Sequence, residues 1–197
     1  TFMVTIKMFS TFAIEHVYGH HKNVGLASDP ATAKRGMGLL RFLITASGQE
    51  HRDGWNIEMN RLQKKGQSFF SFRNRMLQGY ARSLLILTAA YYLGGLTGLG
   101  VFIGIALFAK FFLEVVNYME HYGLVRAPGT PIAPRHSWNT NKRVSSILLY
   151  NLTRHSHHHE QSSLEFWKLR PYPDAPEMPY GYLTTLYLVS FFPWAYR

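Results

Sequence analysis

The stretch SLLILTAAYYLGGLTGLGVFIGIALFA, Ser83–Ala109, decides the fold: 27 residues pass without one charged side chain. A helix needs about 20 apolar residues to cross the hydrocarbon core of a bilayer. The run is therefore long enough to span, and its middle is not a good helix. Gly94, Gly95, Gly98 and Gly100 fall within seven residues, each weakening a helix by about 1 kcal/mol relative to alanine. The pattern predicts a hairpin with arms over 69–93 and 97–121, in preference to one long tilted span. Arms of about 25 residues extend about 37 Å at about 1.5 Å per residue, enough to cross the core and reach both interfaces. The reversal also returns Arg73, Arg75 and Arg126 to one side, as basic residues on a cytoplasmic face require. The competing reading is a hairpin buried in a soluble core.

Around this run the chain is basic. Its 197 residues carry 21 Lys+Arg against 11 Asp+Glu, a net charge of +10. The charges gather beside apolar segments. Lys22, Lys34, Arg35, Arg41 and Arg52 follow the first; Arg61, Lys64, Lys65, Arg73, Arg75 and Arg82 precede the hairpin. Arg126, Arg135, Lys142, Arg143 and Arg154 come after it. Neither aromatic RNA-binding boxes nor zinc fingers are visible, so the basic surface points to a lipid bilayer and not to nucleic acid. The mean hydropathy of −0.11 averages these opposite compositions. The absence of cysteine excludes disulfides, thiolate metal sites and a cysteine nucleophile.

The length fits one all-α domain, an integral-membrane helical bundle. Because the chain opens at Thr1, it reads as the C-terminal part of a larger protein. Residues 1–21 are the end of an apolar helix with a His-rich terminus. Residues 22–68 form a polar cytoplasmic segment, helix-compatible near 31–47 and 55–65. The hairpin occupies 69–121. Residues 122–197 hold a second His-rich box, on a short helix over 143–154, and an aromatic tail, 182–196, that caps the domain or lies in the interface.

Ten histidines carry the chemistry. His16, His20 and His21 stand in EHVYGHH, and His155, His157, His158 and His159 in RHSHHHE. His121 is solitary in NYMEHYGL, while His51 and His136 lie elsewhere and read as ordinary polar residues. On a helix, positions i and i+4 share a face, so His16 and His20 can reach one point, with His21 available to a second point or to a distorted last turn near Gly19. His155, His158 and His159 repeat the arrangement at i, i+3 and i+4. Neutral imidazole ligates iron, zinc, copper and nickel, and ionisable groups beside a membrane are usually functional. The Glu-x-x-His pairs of soluble di-iron bundles and the HExxH motif of zinc proteases are both missing. Seven clustered histidines exceed what one tetrahedral zinc uses. Two metals with nitrogen ligands fit better, and beside lipid they point to iron and O2.

EHVYGHH at 15–21, NYMEHYGL at 117–124, HSWN at 136–139 and LLYNLTRHSHHH at 148–159 resemble the alkane 1-monooxygenase family, histidine-rich membrane di-iron hydroxylases related to fatty-acid desaturases. The resemblance covers about residues 10–180. The family's HExxHK box is not in this sequence, which fits a chain that starts inside the protein. His157 stands where the family usually has Asp, and Thr153 where it has Gln.

The resemblance implies a membrane-bound non-haem di-iron centre facing the cytoplasm of a bacterial inner membrane. Its metal ligands are His16, His20, His21, His121, His155, His158 and His159. It implies hydroxylation of an alkane's terminal methyl with O2 and electrons from rubredoxin, itself served by rubredoxin reductase. Carboxylates commonly orient metal-bound imidazoles, so Glu15, Glu120 and Glu160, each beside a histidine, are expected to help. Glu114 and Asn117 share the helix stripe of His121, and Glu114 is expected to face the metals. His157 reads equally as a group behind the ligands or a surface residue. Alternatives on the same framework are a desaturase, an acyl or xylene-type hydroxylase, and a non-redox metal-binding membrane protein.

Overall fold

The computed structural model describes residues 10–196; the expected apolar helix over residues 2–9 lies outside them. Among the described residues every regular element is helical. In order they are α1 (Ser10–Glu15), a π-helical turn (His16–His20), α2 (His21–Asn23), α3 (Leu39–Lys64) and α4 (Arg75–His121). Then come α5 (Arg143–Leu148), α6 (His155–Glu160), α7 (Tyr182–Phe191) and α8 (Pro193–Tyr196), with 3-10 turns at Pro134–His136 and Phe166–Lys168. The chain divides into two compact units, Thr1–Gly19 with Ser47–Leu113 and His20–Ala46 with Glu114–Arg197.

α3 runs unbroken for 26 residues, where the sequence suggested two separate patches. No proline interrupts it, and glycine within a helix costs only about 1 kcal/mol. Gly54 has a packing reason: a Cβ there would lie 3.5 Å from Thr11. Near the end of α3, buried Glu58 binds Arg61 at 2.6 Å and Arg75 at 2.7 Å and accepts the Arg75 backbone N–H. Burial opposes the charged form, but the two guanidiniums hold this carboxyl down at about 2. Asn74 caps α4, its Oδ1 accepting the N–H groups of Met76 and Leu77.

The apolar run lies within α4, and its helix is interrupted at Gly95, where φ is 59° and ψ −152°. This region of backbone space is essentially restricted to glycine. The chain folds back there. A Cβ on Gly98 would come within 2.6 Å of Ala90 O, whereas eight residues of straight helix separate positions by about 12 Å. The arms are thus 75–94 and 96–121. Tyr80 and Lys110 lie equally far from the bend, and both reach α3. The Tyr80 hydroxyl accepts from Trp55 Nε1 at 3.0 Å and Lys110 Nζ donates to Glu50 at 2.7 Å. The arms leave Leu84, Leu85, Tyr92, Leu93, Leu96, Val101, Ile105 and Phe108 exposed. A soluble core hairpin would bury these side chains. α4 is long and apolar enough to cross a membrane.

The second unit is fastened around buried Arg126. Its guanidinium donates to the carbonyls of Val24 (2.7 Å), Lys22 (2.6 Å) and Thr130 (2.7 Å). Tyr118 donates to Met37 O at 2.7 Å, joining the last turns of α4 to the loop before α3. α5 and α6 are separate short helices, where the sequence suggested one over 143–154. Between them Tyr150 and Asn151 adopt φ of 50° and 57°, left-handed values that end a helix. In the aromatic tail, Tyr182 is buried and Tyr196 donates to Met119 O at 2.9 Å. The tail therefore caps this unit.

Gly95→Val forces a branched side chain into the glycine-only region. It is expected to destabilise the protein by about 1–3 kcal/mol, read as a lower thermal midpoint in detergent. Gly94→Ala, at a position with open space around it, does not lower that midpoint.

Candidate metal centre

Four histidines from three stretches of the second unit converge: His20, His121, His155 and His159, all buried. Their ligand atoms lie within 4.8 Å of one another. Ring centroids are 4.7 Å apart for His20 with His121 and with His159, and 4.4 Å for His155 with His159. His155 Nε2 lies 3.1 Å from His121 Nε2 and 2.8 Å from His159 Nε2. One nitrogen carries one proton, so three converging nitrogens cannot all be satisfied by one another. A shared cation satisfies them together, and imidazole is a donor that Fe, Zn, Cu and Ni accept. His121 and His159 are held in the group by packing against the neighbouring imidazoles.

Local structure explains the placement. His155 and His159 are i and i+4 on α6 and share a face. α6 is held by the HSWN segment: Asn139 Oδ1 accepts the Ser156 N–H at 2.8 Å, and Asn139 Nδ2 donates to Ser156 Oγ. Trp138 N donates to Glu120 O at 2.8 Å, and Trp138 Nε1 to Tyr122 O at 3.0 Å. The motif thus ties α6 to the helix end that carries His121. His136 of the same motif is buried and accepts the Ala133 N–H, a structural role. His51 meets the Tyr80 hydroxyl at 3.0 Å on the surface of the other unit.

The turn around His20 differs from the sequence expectation. It is π-helical over His16–His20, a form that recurs at functional sites. Gly19 is required in this turn, because a Cβ would sit 2.5 Å from Glu15 Oε1. His20 joins the group of four without His16, contrary to the i, i+4 pairing expected of an α-helix. His16 belongs to the other unit and stacks on Phe12 at 4.6 Å.

His21 and His158 form an edge-to-face pair 4.8 Å apart beside the four, with His21 5.0 Å from His159. Burial, then the neighbouring His158 and His20, lower the His21 pKa to about 3, against a raising influence of Asp29. Burial and His20 likewise lower His158, and burial with the surrounding imidazoles takes His159 well below its usual value. All three are neutral near pH 7, with lone pairs available to a metal.

Two acids touch the group. Asp29, which the sequence reading missed, is buried and lies 2.9 and 3.1 Å from His20 Nδ1 through its two oxygens. Thr32 Oγ1 and the Ala31 N–H also donate to it. Burial alone would raise the Asp29 pKa; His20 and Thr32 reverse that and hold it below the ordinary value. The contact fixes the His20 proton on Nδ1 and turns Nε2 to the group, the usual carboxylate–histidine–metal arrangement. A signal was available: Asp29 is the one acid between His20 and Arg41. The second acid is Glu120, whose Oε2 is 3.2 Å from His155 Nε2.

The other expected residues lie around these. Glu114 and Asn117 are buried, with Asn117 Nδ2 donating to Glu114 Oε2 at 3.3 Å. Glu15 is buried in the other unit. His157 turns away to accept the Arg170 N–H at 2.7 Å, and exposed Glu160 accepts from Tyr172.

Comparison with known proteins gives one coherent result. The fatty acid desaturase family model matches residues 1–188. Alkane 1-monooxygenase 2 of Alcanivorax borkumensis is 33% identical over 194 residues, covering 96% of this chain and 50% of the relative. Alkane 1-monooxygenase 1 of Pseudomonas aeruginosa is 36% identical over 179 residues, covering 88% and 47%. The xylene/toluene monooxygenase hydroxylase component of Pseudomonas putida is 36% identical over 167 residues, covering 84% and 45%. The chain spans about half the length of the curated relatives it matches.

Asp29→Asn removes the charge behind His20 while keeping the shape. Affinity for a divalent metal, measured by chelator competition, is expected to fall about 10–100-fold, whereas Glu160→Gln leaves it unchanged.

Proposed function

This chain belongs to the fatty acid desaturase family, and on that footing we propose that it forms the metal-binding half of a membrane-bound non-haem di-iron alkane hydroxylase. The observation that carries the reading is the buried convergence of His20, His121, His155 and His159. Four imidazole nitrogens suit iron, and the alkane 1-monooxygenases among the relatives point to the reaction. An alkane R–CH3, O2, two electrons and two protons give R–CH2OH and water.

The irons, when bound, supply the oxidising chemistry; the chain supplies ligands, orientation and access. His20, His121, His155 and His159 hold one iron. His21 and His158 would serve the second, and His16 is a further ligand that the motif resemblance implies. Asp29 keeps the His20 donor nitrogen turned inward. Glu114, Glu15 and Glu120 are the acids expected to compensate the metal charge, with Asn117 donating to Glu114.

The exposed apolar arms of α4 are proposed to cross the bacterial inner membrane as a hairpin, with the centre on the cytoplasmic side. An alkane dissolves in the bilayer and would approach from there. Electrons are proposed to come from rubredoxin and its reductase, with the basic loops attracting an acidic carrier. The relative that acts on xylene and toluene supports a second reading, in which the methyl group is that of an arene.

Product analysis separates these readings. Membranes holding the protein, supplied with reductant and offered an alkane, a xylene and an acyl substrate, are expected to yield a primary alkanol, with oxygen consumed in step. His155→Ala and His159→Ala are expected to lose iron and turnover together. Exclusive methyl-arene oxidation would favour the second reading; a new double bond in the acyl chain, or zinc and no oxygen uptake, would overturn both.

A further inference from the structure

Tyr182 opens α7, a helix to which the sequence assigns only an aromatic cap. Its side chain is buried, and its phenol donates to Glu120 Oε1 at 2.8 Å. The other oxygen of that carboxylate, Oε2, lies 3.2 Å from His155 Nε2. His155 Nε2 therefore has three close neighbours, at 2.8 Å (His159 Nε2), 3.1 Å (His121 Nε2) and 3.2 Å (Glu120 Oε2). Donors about 2.1 Å from one metal and at right angles stand about 3.0 Å apart. The carboxylate oxygen is spaced from His155 as the imidazoles are.

Charge gives a second, independent reason. Glu120 is 1% exposed, and among the described residues its side-chain partners are Tyr182 and His155, with no lysine or arginine. A buried carboxylate demands a positive partner. A divalent metal held by four imidazoles, in turn, has no negative charge among those four ligand atoms. We propose that Tyr182 is a positioning residue: its phenol pins one oxygen of Glu120 so that the other is presented to the metal beside His155, giving the all-imidazole site one anionic oxygen donor. The inference rests on the metal-centre reading above and names a contributor that reading does not contain. The phenol can act this way because its helix is itself anchored. Tyr196, on the adjoining α8, donates to Met119 O, one residue before Glu120.

The test uses the membrane-expressed protein loaded with iron-57, read by Mössbauer spectroscopy and iron content. Tyr182→Phe is expected to keep its iron while shifting the quadrupole doublet of one iron site. Glu120→Gln is expected to shift the same doublet and weaken iron binding about 10–100-fold. Tyr187→Phe, at an exposed tyrosine of the same helix, matches the wild type. A Glu120→Gln spectrum and affinity equal to wild type would overturn the proposal, and so would a Tyr182→Phe spectrum that does not move. If Tyr182→Phe does not accumulate, Glu120→Gln decides alone. A wild-type protein without iron, or a His155→Ala protein with an unchanged spectrum, would instead sink the metal centre itself.

Discussion

The second unit is organised around one electrostatic feature: imidazole nitrogens packed at 2.8–3.1 Å in a buried place, which a shared cation would satisfy together. Burial and mutual repulsion keep His21, His158 and His159 unprotonated, so protons do not supply that charge. Without it the site would be a cluster of poorly satisfied polar groups, each destabilising. With it the same groups become a ligand set. His20, His121, His155 and His159 are therefore better understood as one group than as separate residues.

The rest of the unit holds those rings in place. Arg126 fastens the segment after His20 to the loop after His121 through two backbone carbonyls, those of Lys22 and Val24. Asn139 and Trp138 hold α6 against the end of α4. Asp29 orients His20. The Arg126 contacts join segments more than a hundred residues apart, for which loop closure is an entropic burden; directed hydrogen bonds to buried backbone groups help offset it. The HSWN segment thus contributes stability, and its histidine is the polar structural residue its place outside the clusters suggested.

The sequence was most legible where composition alone speaks. An uncharged run of 27 residues with a glycine-rich centre announces a long apolar helix with a weak point, and the backbone breaks at Gly95. His155 and His159 were readable from i, i+4 spacing, because α6 is a true α-helix there. The same rule misjudged His16 and His20, because a π turn with i→i+5 bonding is not visible in residue types. The long α3 was read as two patches because its two glycines and weak amphipathicity obscure the helical period. Asp29 and Tyr182 escaped for another reason: their roles arise from tertiary contacts, nine residues and 62 residues away in sequence. No local pattern marks such partners. His121 lay between these cases, assignable by motif resemblance and placed by packing.

X-ray absorption at the iron edge of the purified protein tests the account most directly. The account predicts stoichiometric iron in a shell of nitrogen and oxygen donors, with the outer-shell scattering of several imidazoles. Protein that retains no iron, or iron in a shell of oxygens without imidazole scattering, would contradict it.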